Sequence, residues 1–194
     1  MRVYDGSTIM TDHFFNTIAG NASMLPLNKE FDDITAKFRT AIGTDNVCVS
    51  VIYKINNDVL NNAFDARAAA IFTNRGVMPV VAEVYHGTTV TAAANIVNTG
   101  FDPNFSRVAA YGKGTYASPS VKTALSYCKD TRNDTDFSMI FLCRFLKGKF
   151  GKATTGGVID TAVADYSGNE GDILVTPYYD GIIPDYLLCY YKWT

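Results

Sequence analysis

Residues 84–101, VYHGTTVTAAANIVNTGF, and residues 111–130, YGKGTYASPSVKTALSYCKD, decide how this chain is read. The first places His86, one of two histidines among 194 residues, between a β-branched run and a Gly-Thr-Thr turn. PVVAEVY (79–85) predicts a strand that runs straight into His86, and TVTAAANIVNTG (89–100) a short helix stopped by Gly100. In the second stretch a Gly-rich turn delivers Tyr116, and a further helix follows. There Ser118 is the expected N-cap and Pro119 the first helical residue.

Upstream, FDDITAKFRTAI (31–42) sets Phe31, Ile34, Phe38 and Ile42 on one helical face, with Gly43 as the stop. VCVSVIYKI (47–55) alternates and predicts a strand with one buried face. NDVLNNAFDARAAAIF (57–72) is helical, with Leu60, Phe64, Ala68 and Ile71 in phase. Downstream the chain turns β-rich: FSMIFLCRFLKG (137–148), DILVTPYY (172–179) and PDYLLCYYKW (184–193) are apolar, aromatic and β-branched, and read as buried strands. Helices mixed with strands early, then strands alone, predict an α+β fold rather than a doubly wound sheet. Residues 1–28 read as an N-terminal extension packed on a single domain of residues 29–194.

Composition narrows the chemistry. A chain 47% apolar and 13% aromatic is globular, and a net charge of −2 creates no strong field for nucleic acid or an anionic membrane. The basic run LKGKFGK (146–152) reads as a solvated hairpin turn before it reads as a phosphate patch. Four scattered cysteines (Cys48, Cys128, Cys143, Cys189) show no C-x-x-C pairing, and two histidines leave a zinc site hard to assemble, so no metal is expected. They read as buried free thiols in a reducing, intracellular setting, cytoplasmic or nuclear. No apolar run reaches the ~18 residues of a membrane span. Dinucleotide G-x-G-x-x-G, P-loop, nucleophile-elbow and H-E-x-x-H motifs are absent; Lys113 is followed by Gly114, not Ser or Thr.

The order strand–HGT–helix–GF–loop–YGKGTYAS–helix–Y-C resembles the catalytic domain of the poly(ADP-ribose) polymerase family, the diphtheria-toxin-like ADP-ribosyltransferases. The resemblance extends through VSVIYKINNDVL (49–60), MIFLCRFLKGK (139–149), VIDTAVAD (158–165) and IIPDYLLCYYK (182–192), seven ordered elements over about residues 29–194. It implies two packed, mainly antiparallel sheets with flanking helices around an NAD cleft. His86 and Tyr116 then become the first two members of the family's His-Tyr-Glu triad. It implies NAD as substrate and a protein as acceptor; the weak net charge disfavours nucleic acid, no membrane partner is expected, and oligomeric state is left open.

The family chemistry breaks the nicotinamide–ribose bond through an oxocarbenium-like transition state, and these residue types suit it. A histidine ring nitrogen can hydrogen-bond a ribose hydroxyl, as implied for His86. At Gly87 the absent side chain lets backbone N–H and C=O reach the nicotinamide amide. Tyr116, with Tyr127 eleven residues later, would sandwich the ring. Thr88 supports the pocket or belongs to the cap of the next helix. Positioning of this kind can supply about 7–11 kcal/mol of a barrier.

Two positions depart from the family pattern. Counting back from PDYLL puts the family glutamate at Ile173, in EGDILVTP (170–177). Asp172 is its neighbour on the opposite strand face, and a one-residue slip would exchange them. Asp185 belongs to the closing strand. An isoleucine cannot polarise ribose hydroxyls or activate an incoming ribose, so the resemblance implies transfer of one ADP-ribose without elongation. The second departure is Ala124, where many relatives carry an amide-binding serine. Its absence forgoes about 0.5–1.5 kcal/mol, and Ser126 lies on another part of the helix surface. The resulting expectation is a mono-ADP-ribosyltransferase. The alternatives are an inactive module that binds NAD or a partner, and a transferase acting on nucleic-acid ends. At this length no regulatory domain is expected beside the catalytic one, and the chain is expected to be either a catalytic domain cut from something longer or a small stand-alone transferase.

Overall fold

The computed structural model describes residues 12–43, 47–105, 111–128, 137–151, 161–163 and 172–192. Asn28 starts helix α2 (Lys29–Ile42) after helix α1 (Asp12–Ile18) and strand β1 (Ala22–Met24); its side chain accepts from the amides of Glu30 and Phe31. Gly43 ends α2 at φ 71°, the left-handed conformation that glycine adopts without strain. Phe31, Phe38 and Ile42 are buried on one side, as the spacing predicts, and Ile34 packs beside them.

Strand β2 (Val47–Ile55) leads into α3 (Asp58–Arg75), then β3 (Val80–Thr88) and α4 (Val90–Thr99). A 3-10 turn (Pro103–Phe105), β4 (Thr115–Ala117) and α5 (Val121–Leu125) follow. The remainder is β5 (Phe137–Lys147), β6 (Phe150–Gly151), β7 (Thr161–Val163), β8 (Leu174–Thr176) and β9 (Ile182–Lys192). Two sheets form, in the orders β1-β2-β9-β5-β3 and β4-β8-β7-β6. Every pairing is antiparallel except β6 with β7. The fold is mixed α+β, two mainly antiparallel sheets with flanking helices.

Both faces of the larger sheet are buried. Phe141, Cys143, Leu187 and Cys189 face a core with α1 and α4, through Phe14, Ala93 and Val97. Their chain neighbours Ile140, Leu142, Leu188 and Tyr190 face α2 and α5, through Phe38, Val121 and Ala124. Strand β2 therefore corrects the expectation of one buried face. A bulge between Val49 and Val51 shifts its register, so Val49 and Ile52 join one core while Tyr53 and Ile55 join the other. The third cluster, Phe64 and Ile71 with Leu146 and Ile183, seats α3 on the same sheet.

The expected extension contributes directly to this architecture: β1 pairs with β2, and Phe14 and Ile18 enter the core. The basic run is a correction. Residues 146–151 form no hairpin, because β5 pairs within the first sheet and β6 pairs with β7 in the second. Lys152 of that run and the flanks of segment 158–165 lie outside the described residues. All four cysteines are free; three are buried, whereas Cys48 is partly exposed, contrary to expectation. Among the described residues no helix is long and apolar enough to cross a membrane, and no group of three metal-ligating side chains forms.

Asn57 links local and tertiary structure between α3 and α4. Its side-chain oxygen caps α3 by accepting from the Leu60 amide, and its nitrogen donates to the carbonyls of Val97 and Asn98 at the end of α4. Removing the buried side chain loses a cap and two carbonyl partners. Asn57→Ala is predicted to lower stability by about 2 kcal/mol, measured by urea unfolding, against a change near zero for the exposed Asn104→Ala.

Candidate active site

The two sheets meet where β3 passes β4. Tyr85 and Ser118 form an isolated antiparallel bridge, the Tyr85 amide donating to the Ser118 carbonyl (2.7 Å) and the Ser118 amide to the Tyr85 carbonyl (2.9 Å). One residue further along β3, the Nδ1 of His86 lies 2.7 Å from the Tyr116 carbonyl oxygen. A carbonyl can only accept, so Nδ1 carries the proton and Nε2 keeps its lone pair. The ring edge packs against Phe101 at 4.9 Å between centroids. Burial pushes the His86 pKa below its ordinary 6.5, against the opposing pull of the Tyr116 carbonyl, and holds the ring neutral at neutral pH.

Beside this junction lies a cleft of about 70 Å³. Five sequence-predicted residues line it together: His86, Gly87, Tyr116, Tyr127 and Ile173. Strand β8 brings Ile173 into place, since Tyr116 pairs with Val175 and Ala117 with Leu174; continuing that register sets Ile173 opposite Ser118. Asp172 is exposed and does not line the cleft. Thr88 does not line it either: it is buried and paired with Met139 on β5, while the cap of α4 is Thr89, which accepts from the Ala92 amide. Asp185 sits on β9, where Arg144 Nε donates to it at 3.0 Å; Arg144 also donates to Asn61. Burial raises the Asp185 pKa and the Arg144 charge opposes the shift.

Gly87 has two reasons to lack a side chain. A Cβ there would overlap the Ala124 carbonyl oxygen and come within 2.9 Å of Cys128 Sγ, so the glycine lets α5 lie directly on β3. In an antiparallel strand, residues two apart direct their N–H and C=O to the same edge. Tyr85 uses that edge to bridge Ser118, so the backbone groups of Gly87 point along the same edge, where the cleft opens.

Tyr116 is held by its own loop. Its hydroxyl donates to the Gly112 carbonyl (2.7 Å) and accepts from the Tyr111 amide (3.1 Å), while Gly112 takes φ 97° to make the turn. The ring is thus fixed before any ligand arrives. Tyr127 is half-exposed on the opposite wall.

The α5 cap lies two residues beyond the Ser118 expected from the sequence. The N-cap is Ser120, which accepts from the Thr123 amide, because the Ser118 backbone is committed to β3 and its hydroxyl accepts from the Ser120 amide. The lining residues to which the sequence gives no site role include Tyr85, Ala117, Ser118 and Thr123, brought there by the strand bridge and the phase of α5.

The chain matches the poly(ADP-ribose) polymerase catalytic domain model over residues 28–185, and it belongs to that family. Catalytic domains of this family take NAD as substrate.

Gly87→Ala should displace α5, since the obstacle is backbone rather than a flexible side-chain end. It is predicted to cost roughly 2–3 kcal/mol in thermal or urea unfolding. Gly20→Ala, which has open space around it, should cost far less.

Proposed function

We propose that this chain is a mono-ADP-ribosyltransferase: it cleaves NAD between nicotinamide and ribose and transfers one ADP-ribose to a protein side chain. The observation that carries the reading is the convergence of His86, Gly87, Tyr116, Tyr127 and Ile173 on one cleft within a chain of this family. In this reading the lone pair of His86 Nε2 accepts a hydrogen bond from a ribose hydroxyl. Tyr116 and Tyr127 flank the nicotinamide ring, and the backbone of Gly87 meets its amide.

The acceptor's nucleophilic atom forms a bond to C1′ and loses its proton. Nicotinamide leaves with the electron pair of the broken bond. His86 and the two aromatic walls contribute orientation, which is where most of the rate is gained when the reacting atoms are otherwise weakly engaged. Ile173 presents methyl groups where a carboxylate would be needed to activate a second ADP-ribose. Product length should therefore stop at one unit.

Purified protein incubated with NAD labelled on the adenylate tests this, with gel and mass analysis of the product. The expected product carries a single ADP-ribose. His86→Ala should lower its formation about 100-fold, the scale of lost substrate positioning. A ladder of longer products would contradict the role given to Ile173, and NAD binding without transfer would favour a binding module.

Acidity provides a second test. Protonation turns Nε2 from acceptor to donor, and burial depresses the pKa at which this happens. Transfer by the wild-type protein should hold level as pH falls toward 6.5 and drop only below it. The sign for folding is parallel: the stabilisation is fully present above 6.5 and declines as pH falls toward the depressed folded-state value.

A further inference from the structure

The polar groups in the cleft are largely committed to the fold. The Tyr116 hydroxyl is tied to Gly112 and Tyr111, the Ser118 hydroxyl to the Ser120 amide, and Nδ1 of His86 to the Tyr116 carbonyl. Ala124 offers the cleft no side-chain hydrogen bond, and Ser126 is exposed, its hydroxyl donating to the Thr123 carbonyl at 2.7 Å. Thr123 differs from all of these. Its amide is capped by Ser120 and its carbonyl is taken by Ser126, yet its hydroxyl makes no hydrogen bond to any described residue.

Thr123 lines the cleft and is only partly exposed. Tyr127, in the turn that follows α5, lines the same cleft. A hydroxyl so placed can both donate and accept, matching the two ends of an amide.

We propose that Thr123 supplies the side-chain hydrogen bond to the amide group of nicotinamide, which Ala124 cannot supply. The inference rests on the reading of the cleft as an NAD site and deepens it by naming a specificity residue. Thr123→Val removes the hydroxyl and keeps the branched shape, Thr123→Ala removes it without a β-branch, and Thr123→Ser restores it.

Calorimetric titration of the full chain with nicotinamide, and separately with ADP-ribose, is the experiment. ADP-ribose carries no amide. Both hydroxyl-less variants should bind nicotinamide about three- to tenfold more weakly than wild type, Thr123→Ser should match wild type within about twofold, and ADP-ribose should bind all four alike. Unchanged nicotinamide affinity in Thr123→Val and Thr123→Ala overturns the inference while leaving the NAD site standing. A parallel loss of ADP-ribose affinity also overturns it, because the side chain would then be structural. Wild-type protein that binds neither ligand refutes the NAD site, and this inference with it.

Discussion

The hydrogen bond from His86 Nδ1 to the Tyr116 carbonyl is the constraint on which the rest of the site depends. It joins the last residues of an edge strand in one sheet to the first strand of the other, beside the paired bonds of Tyr85 and Ser118. The two sheets share one apolar core, where Ala117 and Leu174 of the smaller sheet pack with Phe141 and Leu187 of the larger, and this bond adds a directional tie between the imidazole and the strand that carries the aromatic ring. It also chooses the tautomer. Because one nitrogen is committed as donor, the other is an acceptor, and burial keeps it so at neutral pH.

Around that bond the fold removes freedom step by step. The loop before β4 staples the Tyr116 hydroxyl at both its donor and acceptor sides. Gly87 admits α5 to contact distance, which carries Thr123 to the far wall, with Tyr127 in the turn that follows. Behind the wall, Cys128 is buried with its thiol pKa raised chiefly by burial, so it is a filler rather than a nucleophile. On the other side, Gly181 packs so closely on Thr176 that a Cβ would overlap its hydroxyl, and the turn after β8 is held by Asp180 accepting from Arg67 at 2.7 Å. These contacts fix the strand that leads from Ile173. A preorganised site of this kind suits a reaction in which the enzyme's main task is geometry.

Much of this was legible in the sequence, for identifiable reasons. The strand at 47–55 and the helix ending at Gly43 were readable because alternation and a left-handed stop are local signals. Ile173 was placed by counting along a strand, and it lies in the cleft while Asp172 is exposed. What failed was non-local. Ser118 has the look of a cap, but a strand 33 positions earlier claims its backbone, so the cap moves to Ser120. The bulge that gives β2 two buried faces leaves no mark on its composition. Thr123 was overlooked because a five-residue helix has too few turns for a periodic pattern to show which face is which. The run at 146–152 looked like a hairpin because the crossing between two sheets is decided by partners distant in sequence.

The most direct test of the central claim is nitrogen-15 NMR of the imidazole of His86, titrated with NAD; the chain's two histidines make assignment by a single His86→Gln variant simple. The expected result is a neutral ring protonated at Nδ1 at neutral pH, with the Nε2 resonance shifting as NAD is added and Nδ1 held by its carbonyl partner. A ring protonated at Nε2, or one whose Nε2 resonance ignores saturating NAD, would contradict it.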